Sequence, residues 1–339
     1  MPTIYIAGSR SGSGTTAVAT GLAALLAKYG QKVTLAKALR VGSSASQDAD
    51  SAFHQTLFPD SVAPDGWPIS LEQFPPNGSM DEIVSNLKTA PLPIGTTIVE
   101  GVSGDISDND RHQIDATLAH ALNSHVILVS NDASPFAAQL YSDQFIGVII
   151  NGVPAYSRHD VEIVSAAGAQ QQGISVLGLL PESRRMLSPS VSEVAEHLGA
   201  ELINRAALTS PENQLGGLVE HFMLGGWFLD QGAYVFGRRE NKAVIVRGDR
   251  PDLQMAALDT STVCLILTND KLPVQYIVHH AKLRQIPLLT TQIGTLETME
   301  RLNNIGERVT LYSAAKAQYF AELLEAYCNI ESLTALATS

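Results

Sequence analysis

Cysteine is scarce in this chain: two in 339 residues, Cys264 and Cys328, far apart and outside any Cys-x-x-Cys pair. That excludes a disulfide framework and the ligand spacing of a zinc ribbon. Cys264 lies in the apolar run Val263-Cys264-Leu265-Ile266-Leu267 and reads as a small buried hydrophobe. Positive charge is short as well. Lys+Arg is 22 against 34 Asp+Glu, a formal net charge of −12. That sign argues against a nucleic-acid partner, which depends on neutralising phosphates. Charged residues make up only 17%, too few for long disordered tails. No apolar run approaches the ~20 residues of a membrane helix. The first residues form a strand pattern, with no basic segment or cleavage site of a leader. The expectation is a cytoplasmic protein that binds neither membrane nor nucleic acid.

What is present is 45% hydrophobic residues over a length that suggests two domains. Thr3-Ile4-Tyr5-Ile6-Ala7 reads as a buried strand, and Gly8-Ser9-Arg10-Ser11-Gly12-Ser13-Gly14 as a turn. Val18, Leu22, Leu25 and Leu26 then share one helical face and predict a helix over 15–29, stopped by Gly30. A second strand is expected over 32–38. Short Val/Ile/Leu runs at 97–99, 126–129, 147–150 and 176–180 alternate with helical segments, so parallel strands covered on both faces are expected. The predicted fold class is α/β, a doubly wound parallel sheet over 1–190.

Residues 54–79 differ. From Phe58-Pro59-Asp60 to Pro75-Pro76-Asn77-Gly78 they are rich in Pro, Asp and Gly and predict an irregular insertion, a rim or lid. Val194, Leu198 and Leu202 predict a linking helix over 191–207, with a linker running to 214. A second, smaller α/β domain is expected over 215–330. Its strands fall at 243–246, 263–267 and 287–290, and its helices at 251–260, 273–285, 295–305 and 313–328. The stretch Phe222-Met223-Leu224-Gly225-Gly226-Trp227-Phe228-Leu229 is too apolar for a surface segment and reads as core or interface.

A strand, a glycine-rich turn and a helix in that order form a phosphate cradle. Backbone N–H groups point inward, and the helix N-terminus adds partial positive charge. A standard P-loop continues Gly-Lys-Ser/Thr; here the residues are Gly14-Thr15-Thr16. Thr16 retains a hydroxyl for Mg²⁺, whereas Thr15 carries no charge to the β- and γ-phosphates. Gly12, Ser13, Gly14, Thr15 and Thr16 are the candidate nucleotide contacts.

Apart from that lysine, the segment from Gly8 to Thr16 resembles the P-loop of dethiobiotin synthetase. Lys37-Ala38-Leu39 is similar to that family's Lys-Pro-Val step, and Glu100-Gly101 to its Val-Glu-Gly motif. Gly147-Val148-Ile149-Ile150-Asn151 resembles its Gly-Val-x-x-Asn segment, and Gly178-Leu179-Leu180-Pro181-Glu182 continues the likeness. The resemblance implies Glu100 as a Mg²⁺ ligand and Asn151 as a reader of the adenine edge. Beyond it, Pro181-Glu182-Ser183-Arg184-Arg185-Met186-Leu187 and Val191-Ser192-Glu193-Val194-Ala195-Glu196-His197-Leu198-Gly199-Ala200 are similar to the N-terminal half of long bacterial phosphate acetyltransferases. Gly248-Asp249-Arg250-Pro251-Asp252-Leu253-Gln254 and Leu267-Thr268-Asn269-Asp270 resemble the signature stretches of the DRTGG domain that follows there. Asn269-Asp270 stands where Gly-Gly is common. The acetyltransferase catalytic domain has no counterpart in these residues, so synthesis of acetyl phosphate is not expected.

Other candidates carry two readings each. Arg10 stands where related Min/ParA-type ATPases have a signature lysine, and reads as a replacement charge or as a solvated loop residue. Lys37 reads as a contact to phosphate or to an acidic substrate, or as a solvated strand end. Asp48 and Asp50 read as Mg²⁺ partners or as helix caps. Asp249-Arg250-Pro251-Asp252 reads as a ligand loop or as a salt-bridged cap. His279-His280 has no acidic or cysteine partner at ligand spacing and reads as a surface pair.

The first functional expectation is a regulatory protein that binds ATP or ADP with Mg²⁺, turns it over slowly or not at all, and signals through its second domain to a metabolic enzyme partner. A homo-oligomer, most simply a dimer, is expected. The alternatives are an ATP-dependent ligase-like enzyme for a carboxylate, of the dethiobiotin synthetase or cobyrinic acid a,c-diamide synthase type, and an architectural protein with a vestigial pocket. The missing lysine separates them, because its loss damages phosphoryl transfer more than binding.

Overall fold

The structure is a computed structural model and describes residues 2–41, 49–59, 67–71, 80–89, 95–104, 106–132, 138–226 and 232–337. The chain forms two compact units, Met1–Ser183 with Lys316–Ser339, and Arg184–Ala315.

The first unit is built on β1 (Thr3–Gly8), β2 (Val33–Lys37), β5 (Thr96–Glu100), β7 (His125–Ser130), β8 (Phe145–Val153) and β9 (Val176–Pro181). They lie in the order β2-β5-β1-β7-β8-β9, every pair parallel. A small parallel sheet adds β3 (Leu39–Val41), β4 (Ile69–Leu71) and β6 (Ser103–Gly104) in the order β4-β3-β6. Buried strands need side chains packed on both faces, hence the continuous apolar runs. Tyr5 and Ala7 enter a core with Ile114, Leu118 and Ala119 of α4 (Asp108–Ala121). Ile4 and Ile6 alternate to the opposite face, where α1 (Thr15–Lys28) packs against β1, β2 and β5. Ser107 starts α4 by accepting from Asp110 N–H at 3.2 Å. The helices α2 (Ala49–Leu57), α3 (Met80–Thr89) and α5 (Arg158–Gln172) complete the βα series.

The expected insertion at 54–79 is only partly irregular. Residues 54–57 finish α2, and β4 pairs with β3; residues 60–66 and 72–79 lie outside the described residues.

The second unit divides from the first differently than the boundaries at 190 and 215 anticipate. Residues 191–214 are part of it rather than a linker. Val191, Val194 and Leu198 of α6 (Val191–Leu198) are core residues. Next, β10 (Glu201–Leu202) joins the sheet antiparallel to β14 (Leu288–Thr290). The helix also ends sooner than 207. Gly199 takes the left-handed conformation at the C-cap, which stops a helix regardless of the apolar Leu202 beyond it. Its start is fixed by a capping box between Ser190 and Glu193.

Five strands, not three, make the second sheet. With β11 (His221–Gly225), β12 (Lys242–Arg247) and β13 (Thr262–Thr268), the order is β10-β14-β13-β12-β11. Val244, Val246, Leu265 and Leu267 face a core shared with α8 (Gly232–Phe236), α9 (Pro251–Leu258) and α10 (Gln275–Arg284). Ala243, Ile245, Cys264 and Ile266 face the other core, with α6 and α11 (Thr295–Leu302). The short helix α7 (Pro211–Leu215) precedes β11. Cys264 is fully buried, as its apolar run predicts.

The predicted C-terminal helix forms as α12 (Ala314–Tyr327), followed by α13 (Ile330–Ala335), but from Lys316 onward it belongs to the first unit. A Cβ on Gly21 of α1 would meet Phe320 Cδ1 at 2.6 Å. Only the missing side chain lets the two helices approach this closely.

Candidate functional site

Six residues separate the end of β1 at Gly8 from the start of α1 at Thr15. Gly12 and Gly14 have φ of +75° and +98°, left-handed backbone that favours glycine. A Cβ on Gly14 would also collide with the Asn151 side-chain amide, and one on Gly8 would meet Ser13 Oγ at 2.8 Å. Asn151, near the end of β8, donates from Nδ2 to the Ser13 carbonyl at 3.0 Å. Asn131 donates to the same carbonyl at 3.3 Å and to the Asn151 carbonyl at 3.2 Å. The cradle is therefore braced from β7 and β8, and Asn151 stands against it.

At the start of α1, Thr16 meets side chains from two other elements. Its hydroxyl donates to Glu100 Oε1 at 2.6 Å and lies 3.5 Å from Asp50 Oδ1. The buried Lys37 ammonium pairs with Asp50 Oδ2 and stands 3.6 Å from Glu100 Oε1. Strand register explains the meeting: Lys37 pairs with Glu100, which pairs with Ile6 two residues before the cradle. Lys37 is thus not a solvated strand end.

His54 of α2, absent from the sequence candidates, completes the group. It is 3% exposed, with Nε2 3.2 Å from Glu100 Oε2. Burial works to raise the Glu100 pKa, yet the Lys37 charge, His54 and the Thr16 hydroxyl hold it down at about 2. Glu100 is therefore an anion at neutral pH. Asp48 lies outside the described residues.

Arg10 makes its contacts elsewhere. Arg10 is half-exposed; its Nε donates to Asn131 Oδ1 at 3.4 Å, and its Nη1 lies 3.8 Å from Asp132 Oδ2. Among the described residues, its contacts are with Asn131 and Asp132 rather than with Thr15.

Beneath the loop after Glu100 lies a second buried polar group. Asp115 Oδ1 accepts from the Tyr5 hydroxyl at 2.7 Å and from Val102 N–H at 2.9 Å. Burial pushes the Asp115 carboxyl up to about 6 against those bonds. Arg111, also buried, donates from Nη1 to the Val102 carbonyl at 2.7 Å.

In the second unit, the Asp249-Arg250-Pro251-Asp252 turn is held by exposed pairs. Arg247 grips Asp249 at 3.0 and 2.6 Å, and Arg250 grips Asp252 at 2.9 and 2.7 Å. No side chain caps α9, so the salt-bridge half of the structural reading is present and the cap is not. Asn269 and Asp270 both have positive φ, 65° and 51°, which accounts for glycines being common there. His279 and His280 meet edge to face on α10. Among the described residues, no three His, Cys, Asp or Glu side chains are placed to hold a metal ion, and no helix is long and apolar enough to cross a membrane.

Comparison with known proteins matches residues 2–190 to the AAA domain family and residues 193–305 to the DRTGG domain family. The chain is similar to the phosphate acetyltransferase of Pseudomonas putida, 21% identical over 97% of this chain and 51% of that protein. It is also similar to that of Acinetobacter baylyi, 22% identical over 74% of this chain and 40% of that protein. The chain thus spans about half the length of the curated relatives it matches. Among solved structures, a nucleotide-binding protein in complex with ADP from Archaeoglobus fulgidus is 16% identical. Its TM-score is 0.32, over 53% of this chain and 82% of that one, a likeness too loose to add to the fold already described.

Proposed function

The chain belongs to the AAA domain family, and from that premise we propose that its first unit binds ATP or ADP at the cradle of residues 8–16 and serves regulation rather than rapid turnover. The observation that carries this reading is the meeting of Thr16, Asp50 and Glu100 at the N-terminus of α1. Backbone N–H groups and the helix dipole supply the anion site there. One hydroxyl and two carboxylates are hard oxygen donors of the kind Mg²⁺ takes, so these three residues would hold Mg²⁺ beside the phosphates. The metal would neutralise phosphate charge; the chain's own part is to hold and orient. Asn151, braced on the loop, would stand at the base.

Slow or absent hydrolysis follows from Thr15, because phosphoryl transfer depends on fixed positive charge at the β- and γ-phosphates. The ligase-type reading is second for the same reason. Calorimetric titration with ATP, ADP and GTP, with and without Mg²⁺, tests the proposal. Absence of binding to all three would refute it.

Occupancy would be signalled through the DRTGG-type unit to a metabolic enzyme. Self-association belongs to that unit in this reading: among the described residues β11 is an edge strand, with Phe222 and Met223 half-buried and Leu224 40% exposed. Open edges invite pairing, and a two-fold dimer is the simplest closure. Residues 227–229 of that apolar stretch lie outside the described residues. A monomer in light scattering at micromolar concentration would defeat this part.

A further inference from the structure

Lys37 lies against both carboxylates of the group a divalent ion would use. Its ammonium is ion-paired with Asp50 and stands 3.6 Å from Glu100 Oε1. That same Oε1 accepts the Thr16 hydroxyl at 2.6 Å, and Asp50 Oδ1 is 3.5 Å from it. The Lys37 side chain is fully buried and that of Glu100 is 2% exposed, so solvent does little to screen them. A divalent ion on these oxygens would face an ammonium at contact range, and like charges so placed repel strongly. Lys37 and a metal therefore exclude one another unless the ammonium finds another anion. Because it shares Glu100 Oε1 with the first turn of α1, it already lies beside the cradle where phosphates would sit.

We propose that Lys37 is a built-in counter-ion that bars divalent cations from Asp50 and Glu100 until the phosphates of a nucleotide take its ammonium. Metal and nucleotide then bind together, with the Lys37 ammonium drawn from Asp50 and Glu100 to the phosphates. The second step rests on the nucleotide-binding reading; the exclusion of metal by the ammonium does not.

Titration with Mn²⁺, followed by calorimetry and by the electron spin resonance of free Mn²⁺, tests both steps. In the unaltered protein, saturating ADP is expected to tighten Mn²⁺ binding by about tenfold or more. Lys37→Met is expected to bind Mn²⁺ without nucleotide about tenfold or more tighter than the unaltered protein does. Adding Glu100→Gln should abolish that gain. If Lys37→Met does not fold, Lys37→Gln takes its place, and the unaltered protein with and without ADP remains a test of its own. Equal Mn²⁺ affinity with and without bound ADP overturns the coupling. Mn²⁺ binding to the unaltered protein alone as tight as to Lys37→Met overturns the exclusion. A Lys37→Met gain in a protein that binds no ADP upholds the exclusion and refutes the nucleotide-binding reading instead.

Discussion

Replacing Asp115 with asparagine separates the cost of a buried charge from the hydrogen bonds around it. Burial raises the Asp115 carboxyl from 3.8 to about 6 in the folded chain, although Val102 N–H and the Tyr5 hydroxyl favour the charged form. At 1.36 kcal/mol for each tenfold change, ionising it in the folded state costs about 3 kcal/mol. The folded value is above the unfolded one. The favourable contribution is therefore fully present below about pH 4 and is lost as pH rises through about 6. Asparagine retains an oxygen to accept from Tyr5 and Val102 but cannot ionise. Relative to the unaltered protein, Asp115→Asn should gain stability as pH rises, by about 2 kcal/mol between pH 4 and pH 7. Glu100 works in the opposite direction: its depressed value gives stability that is lost as pH falls below about 4.5 toward 2. It is common to both proteins and cancels in the difference. Urea denaturation in steps across this range measures the difference directly. Two stability curves that run parallel with pH would refute the reasoning.

Thr15→Lys should tighten ADP binding. A charge-assisted contact contributes about 1.5–3 kcal/mol, roughly ten- to a hundredfold in affinity, and an unchanged or weaker affinity by calorimetry would mean that the loop has closed or the pocket is filled. The unaltered protein should hydrolyse ATP below ~1 s⁻¹; faster turnover in a phosphate-release assay that survives Arg10→Ala would refute this, since Arg10 is the charged side chain of the loop. Gly21→Val should destabilise the first unit by about 1–3 kcal/mol, because the added carbon meets Phe320 Cδ1 at 2.6 Å and the Phe320 backbone at 3.2 Å. An unchanged melting temperature would mean that α12 does not pack on α1.

The central strands of the two larger sheets were legible from local sequence, though not β10 or β11, because a strand covered on two faces must be apolar throughout. Val126-Ile127-Leu128-Val129 and Val263-Cys264-Leu265-Ile266-Leu267 have that form. So was the cradle, since positive φ at Gly12 and Gly14 is a local demand of the turn. Local pattern fell short where one residue outweighs a periodicity: Leu202 continues the apolar face of α6, yet Gly199 ends that helix first. It also could not say which core a helix covers. The periodicity of α12 is the same on either unit, and contacts such as Phe320 over Gly21 and Lys28 with Glu325 assign it to the first. The site divides in the same way. Thr16 and Glu100 are marked by their motifs and Lys37 by its resemblance to a Lys-Pro-Val step, with a solvated strand end as its other reading, whereas His54, between Phe53 and Gln55, carries no local signal. The burial of Lys37 and His54 against Glu100 comes from the register of β2 on β5 and from α2 packing on β2. Both are contacts between segments far apart along the chain, which no local pattern records.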